Sequence, residues 1–138
     1  NGDPITVWDD SYNSSPLALN MVLETVRELS GFQRKILALG EMLELGPQAP
    51  ELHRQAGHSV ARCSVDGLVT VGEGGNYIGQ GAEEKGFPEE MITHFESSQE
   101  AAEFLSEQLA PGAFLLVKGS RGVAMDRIIR KLEEKIKN

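Results

Sequence analysis

Two short segments of this chain concentrate side chains able to bind a ligand or transfer a group. Asp9-Asp-Ser-Tyr-Asn13 brings two carboxylates, a phenol and an amide, and Lys118-Gly-Ser-Arg-Gly122 brings two cations and a hydroxyl between glycines. Each directly follows an apolar run, Ile5-Thr-Val-Trp8 in one case and Phe114-Leu-Leu-Val117 in the other. Neighbouring residues on an extended segment point to opposite faces, so Asp9 and Asp10 do not form an acid/base dyad by default. Either carboxylate could accept from a pair of sugar hydroxyls or hold a metal; equally, one could cap a turn while the other is solvated. The Lys118–Gly122 turn is expected at a helix N-terminus, where backbone N–H groups, the positive dipole end and the charged donors favour an anion. The plainer alternative leaves Lys118 and Arg121 solvated or paired with the Asp9-Asp10 loop.

The remaining candidates are weaker. Gly72-Glu-Gly-Gly-Asn76 lacks the third glycine of a dinucleotide fingerprint, and no GxxxxGK[ST] phosphate loop occurs. His53 and His58 lie five residues apart, about 140° around a helix, so they cannot chelate one ion from one face. No metal site and no catalytic residue are assigned. Cys63, Trp8 and Phe114 are expected in the core.

The segments that must position these loops alternate regularly. Strands are expected at Ile5–Trp8, Lys35–Leu39, Leu68–Val71, Met91–Phe95 and Phe114–Val117. Between them run helical patterns. Ser15-Pro16 supplies an N-cap and a first-turn proline before Leu19, Val22, Val26 and Leu29, a face that reaches Gly31. Leu52, Ala56, Val60 and Cys63 form a second face, and a weaker helix spans about Asn76 to Lys85. Ser97-Ser-Gln-Glu100 fits a capping box for a helix through Leu109, stopped by Pro111-Gly112. Met125, Ile128, Ile129, Leu132 and Ile136 line a closing helix. Five β-then-α units argue for a mostly parallel α/β sheet with helices on both faces. The segment from Gly40 to Pro50 is the longest without a pattern. Strand order is not readable from periodicity.

In open α/β sheets, ligands bind beyond the carboxyl ends of the strands. That rule selects the loops at residues 9–13, 40–46, 72–75, 96–98 and 118–122, of which the first and last carry the most polar density.

Composition sets the bounds. The 138 residues include 13 Lys+Arg and 21 Asp+Glu, a net charge of −8. One globular domain over residues 1–138 is expected, long enough to bury a core without disulfide or metal. A lone cysteine excludes an internal disulfide framework and fits a reducing compartment. No run of 18 apolar residues and no basic-then-apolar leader occurs, so no membrane partner is expected. With pI ≈ 4.9, binding to a nucleic-acid backbone is not expected either. The charge is uneven: nine Glu and one Lys fall between Glu73 and Glu107, leaving twelve acids and twelve bases elsewhere. That stretch reads as a solvated face with capping carboxylates. The opening Asn1-Gly-Asp-Pro4, without Met, is expected of a fragment.

Taken together, Asp9-Asp-Ser-Tyr-Asn-Ser-Ser-Pro16, Leu39-Gly-Glu-Met-Leu-Glu-Leu-Gly46, Leu52-His53 and Val117-Lys-Gly-Ser-Arg-Gly122 resemble the C-terminal domain of the Mur ligases. The order and spacing hold from residue 4 to about 132, and the similarity is greatest to the branch that adds D-Ala-D-Ala to UDP-N-acetylmuramoyl-tripeptide. The resemblance implies a Rossmann-like domain of a three-domain, cytoplasmic, ATP- and Mg²⁺-dependent ligase of peptidoglycan synthesis. Its partners would be those two substrates and its own N-terminal and central domains, the last carrying the phosphate loop, and a monomer is expected. The implied chemistry transfers the γ-phosphate to the precursor carboxylate; the dipeptide amine then attacks the acyl phosphate. By residue, the resemblance implies that Asp10 bonds the ATP ribose, with Tyr12 and Asn13 at the nucleotide and substrate edge. It implies that Lys118, Ser120 and Arg121 face the incoming dipeptide. Ser14-Ser15 stands where many relatives read Ala-Asn, a departure that leaves Asp10 unaffected.

Two other classes share parts of this pattern. A phospho-accepting receiver also has an acidic pair after its first strand and a Lys after its fifth, but needs an Asp ending the third, where this chain has Thr70-Val-Gly-Glu73. A non-catalytic nucleotide-binding module is the third possibility.

Overall fold

A computed structural model describes residues 4–12 and 14–137. The strands are β1 (Thr6–Asp10), β2 (Arg34–Gly40), β3 (Gly67–Val71), β4 (Ile92–Phe95) and β5 (Ala113–Lys118). The helices are α1 (Pro16–Glu28), α2 (Ala49–Ala61), α3 (Glu73–Glu84), α4 (Ser98–Gln108) and α5 (Asp126–Lys137). All strand pairs are parallel, and the order is β1-β5-β2-β3-β4. The alternation read from the sequence therefore stands, and the order supplies what periodicity could not.

The two faces separate cleanly. Leu19, Leu23 and Val26 of α1, Ala56 and Val60 of α2, and Ile78 and Ala82 of α3 pack with Leu37, Leu39 and Leu116 on one face. Ala101, Ala102 and Leu105 of α4, with Met125 before α5 and Ile128 and Leu132 on it, pack with Ile36, Val69 and Val117 on the other. Right-handed crossovers dictate this partition: the chain steps one way across the sheet from β1 through β4, then returns from β4 to β5. β2, β3 and β5 are covered on both sides, which is why residues 36–39, 68–71 and 113–117 are apolar but for Thr70.

Element ends depart from expectation in ways the hydrogen bonds explain. β1 runs on through Asp10 because Asp9 and Asp10 pair in register with Val117 and Lys118. Trp8 is half-buried, whereas Phe114 is fully buried and tilts against Phe32 with ring centroids 5.2 Å apart. Ser15 caps α1 as expected, its Oγ accepting from Ala18 N–H at 3.2 Å, but the helix stops at Glu28 rather than Gly31. Ser97 likewise caps α4 through Glu100 N–H. The segment from Gly40 to Pro50 is not an unpatterned loop: a 3₁₀ turn covers Gly46–Gln48, and α2 begins at Ala49 with Pro50 in its first turn.

The helix expected from Asn76 starts three residues earlier, at Glu73. Its glycines lie against α2: a Cβ on Gly57 would meet the Ile78 carbonyl oxygen and, at 2.6 Å, Ala82 N, while one on Gly81 would meet the Arg54 carbonyl group. The two helix backbones thus touch. Arg54 closes the seam at the surface, bonding both Glu51 on its own helix and Glu84 on α3. Hydrogen bonds from His58, then Arg54, hold the Glu84 carboxyl below the usual carboxylate range.

Cys63 lies two residues beyond α2, not on it, yet is buried with its thiol donating to the Leu23 carbonyl at 3.2 Å. Desolvation pushes it up to about 11 from 9.0. Because the folded state holds this proton more tightly, the stabilisation is complete below pH 9 and disappears as pH rises towards 11, at a cost on the order of 2 kcal/mol. Urea melts at pH 8 and 10.5 should show that loss in the native chain and not in Cys63→Ala. A pH-insensitive difference between the two would refute it.

Candidate functional site

β5 lies between β1 and β2, so the loops after these three strands stand side by side at one edge of the sheet. α1 and α2 leave this edge for one face and α5 for the other, which makes it the topological switch point where ligands of such sheets bind. Tyr12, Ser14, Ser15 and Ala18 from the first loop and helix, Leu43 and Glu44 from the second, and Ser120, Arg121 and Gly122 from the last line a cleft of about 490 Å³.

Behind the cleft, Lys118 and Asp10 meet. Their Cα positions are partners in the sheet register, and Lys118 Nζ donates to Asp10 Oδ2 at 2.7 Å. The Lys118 side chain is 3% exposed and that of Asp10 34%, so the cation is internal while the carboxylate still reaches solvent. Lys118 therefore orients Asp10. Asp9 points elsewhere, as alternation requires: its Oδ1 accepts from Ser11 N–H at 3.2 Å and Ser11 Oγ at 2.7 Å, closing the turn that delivers Tyr12. One aspartate shapes the loop and the other faces the ligand edge. Asn13 lies outside the described residues.

The last loop departs from its expected geometry. α5 begins at Asp126, beyond a 3₁₀ turn over Arg121–Val123 and a left-handed Ala124, so the Lys118–Gly122 turn does not sit on the helix N-terminus. Side chains rather than a helix end provide the cations here. Arg121 stands over the Tyr12 ring, 5.7 Å from its centroid, and Ser120 Oγ accepts from Leu43 N–H at 3.2 Å.

The second loop is held by His53 and Glu41. His53, only 2% exposed, accepts Met42 N–H at Nε2 (2.8 Å) and donates from Nδ1 to the Ala49 carbonyl (2.7 Å), partners that require the neutral Nδ1–H ring. It is a loop clamp. Glu41 Oε1 accepts Gly74 N–H at 3.1 Å at the start of α3. Gly72, at φ +90, and Gly74 leave room for it: a Cβ on either would come within 3 Å of Glu41. Glu44 takes φ +63, a left-handed conformation that a side chain with a Cβ adopts at some cost. His58 pairs with Glu84 on the far side of α2, so the two histidines do not converge.

At the opposite edge, Thr70 Oγ1 bonds His94 Nδ1 at 2.8 Å and His94 Nε2 bonds Glu96 at 2.7 Å. Thr70 is fully buried, so this chain of contacts ties β3 to β4 and offers no nucleophile. β3 itself carries no carboxylate, which leaves a phospho-accepting receiver without its acceptor. Among the described residues no group of three or more His, Cys, Asp or Glu could hold a metal ion.

An open parallel sheet with a hydroxyl-, guanidinium- and carboxylate-lined cleft at its switch point defines an α/β domain of doubly wound type. The family model described as Mur ligase, glutamate ligase domain matches residues 1–121, and the chain belongs to that family. It is 29% identical over 130 residues to the UDP-N-acetylmuramoyl-tripeptide–D-alanyl-D-alanine ligase of Bacillus subtilis (strain 168), covering 94% of this chain and 28% of that one. The Escherichia coli (strain K12) enzyme of the same name is 28% identical over 126 residues, covering 91% and 26%. A crystal structure of MurF from Acinetobacter baumannii superposes with a TM-score of 0.78 at 26% identity, covering 97% of this chain and 29% of that one. MurF ligase from Thermotoga maritima, solved in complex with ADP, gives 0.77 at 24% identity over 96% and 29%, and shows the shared fold. The chain thus spans a little over a quarter of the length of these relatives. No described helix is long and apolar enough to cross a membrane.

Proposed function

We propose that this chain is the C-terminal domain of a cytoplasmic, ATP-dependent ligase that joins D-Ala-D-Ala to UDP-N-acetylmuramoyl-tripeptide. The observation that carries the reading is the meeting of Asp10, Lys118 and the Tyr12–Ser120–Arg121 cleft at the switch point, in a chain whose relatives bear that activity in their names. ATP would supply the phosphoryl group that activates the precursor carboxylate. Mg²⁺ would be held, with the phosphates, mainly by the central domain. Asp10, steered by Lys118 and still exposed, would accept from the ribose hydroxyls, with Asn13 beside it. Tyr12, Ser120 and Arg121 would hold the dipeptide, and Lys118 would act on it through the charge it lends this corner. The dipeptide nitrogen would then form its bond to the acyl carbon as phosphate leaves.

N-terminal and central domains of the same polypeptide would bring the precursor and the phosphate loop. This chain alone is therefore expected to release no phosphate from ATP. Within the full-length monomer, phosphate release should require the UDP-tripeptide and D-Ala-D-Ala together. A full-length protein that ligates a single amino acid in place of the dipeptide would overturn the assignment.

A further inference from the structure

Two charges of opposite sign face the cleft without satisfying each other. Arg121, on one wall, has the Tyr12 ring beside it and no ion-pair partner among the described residues. Glu44, on the lip formed by the second loop, also has neither an ion pair nor a side-chain hydrogen bond among them. Both are exposed, yet they remain beyond salt-bridge distance across a cavity of about 490 Å³.

The lip is not a floppy surface turn. Three hydrogen bonds fix the residues before Glu44: Glu41 to Gly74, Met42 to His53 and Leu43 to Ser120. The third ties the lip directly to the loop that carries Arg121. Glu44 also sits at φ +63, where glycine or asparagine would be accommodated with less strain. An exposed carboxylate without a partner among the described residues, on a lip whose backbone is tied down and in the same cleft as a guanidinium, suits a ligand that carries both a cation and an anion. A dipeptide zwitterion has that form, with termini at most about 7 Å apart.

We propose that Glu44 receives the ammonium terminus of the incoming dipeptide while Arg121 takes its carboxylate, so that the pair selects a free, unblocked dipeptide by its two terminal charges. This rests on the ligase reading given above and adds to it a binding residue for the amine end. Glu44→Gln removes the charge at constant shape, and Glu44→Gly removes the side chain while suiting the left-handed backbone.

The test uses the full-length ligase with steady-state kinetics in all three substrates. Both variants should raise KM for D-Ala-D-Ala about tenfold or more, leave KM for ATP and for the UDP-tripeptide within twofold, and keep the thermal midpoint. The midpoint of Glu44→Gly should equal or exceed that of the parent. D-Ala-D-Ala amide, which lacks the carboxylate, should be a poor substrate for the parent and suffer a further loss with Glu44→Gln. An unchanged KM for D-Ala-D-Ala in both variants, or equal rises for all three substrates, would overturn the role of Glu44. A parent enzyme that does not ligate D-Ala-D-Ala at all would instead overturn the ligase reading.

Discussion

Gly81→Ala is expected to destabilise the domain by about 3 kcal/mol, the upper end of ordinary overpacking, because the added methyl would meet backbone rather than a yielding side chain. Its Cβ would lie 2.8 Å from the Arg54 carbonyl carbon and 3.0 Å from Arg54 Cα, with the carbonyl oxygen nearer still. Relief requires α3 to move off α2, which also breaks the packing of Ile78 and Ala82 against Ala56 and Val60. Gly57→Ala should behave alike, since it meets the same seam from the other helix. Gly79→Ala is the internal contrast. Its methyl finds only Ile92 Cγ2 at 3.4 Å, so the gain in helix propensity should leave it neutral or up to about 1 kcal/mol more stable. Urea denaturation of the three variants measures this directly, and a Gly81→Ala midpoint equal to the parent's would refute the backbone contact.

The second large effect concerns the Asp10–Lys118 pair. In the proposed full-length ligase, Asp10→Ala and Lys118→Met should each lower kcat/KM about 10- to 100-fold, the equivalent of losing one charged hydrogen bond. Together they should cost clearly less than the sum, since each removes the same 2.7 Å contact. Stability should respond asymmetrically. Asp10→Ala removes a charged hydrogen bond from a 3%-exposed ammonium and should cost about 2 kcal/mol. Lys118→Met leaves behind a carboxylate that water already reaches, so its cost should be smaller. Full kcat/KM in both variants would remove these residues from the site, and additive losses would mean that they act independently.

What could be read from the residues alone follows from what each signal encodes. Hydrophobic runs and capping residues report local burial and local hydrogen bonds, so the five strands, the Ser15 cap and the Ser97 cap were legible. The polar segments that carry Asp10, Tyr12, Ser120 and Arg121 were also legible as candidates, because each falls at the carboxyl end of a strand. α3 was underestimated at its start because four glycines count against a helix in isolation. Their value lies in the approach of α2, a fact about another segment. His53 presented the same difficulty. Spacing places it and His58 on different faces of the helix, but its bond to Met42 depends on where the second loop lands. The burial of Lys118 and the distance from its turn to the start of α5 likewise required the strand order. Local sequence carries no term for it.

That strand order also governs how the chain can acquire its shape as it leaves the ribosome. β1 is the first strand made, yet within the sheet it bonds only to β5, the last, and Lys118 lies 108 residues after Asp10. β2, β3 and β4 can assemble as soon as they emerge, whereas β1 has no neighbour until nearly the whole domain has been translated. Closing so long a loop carries a large entropic cost and slows folding. The ligand edge is therefore the final part of the sheet to form. A nascent or truncated chain that ends before β5 would keep a three-stranded remnant and lack the cleft, so a complete cleft certifies that synthesis has passed Lys118.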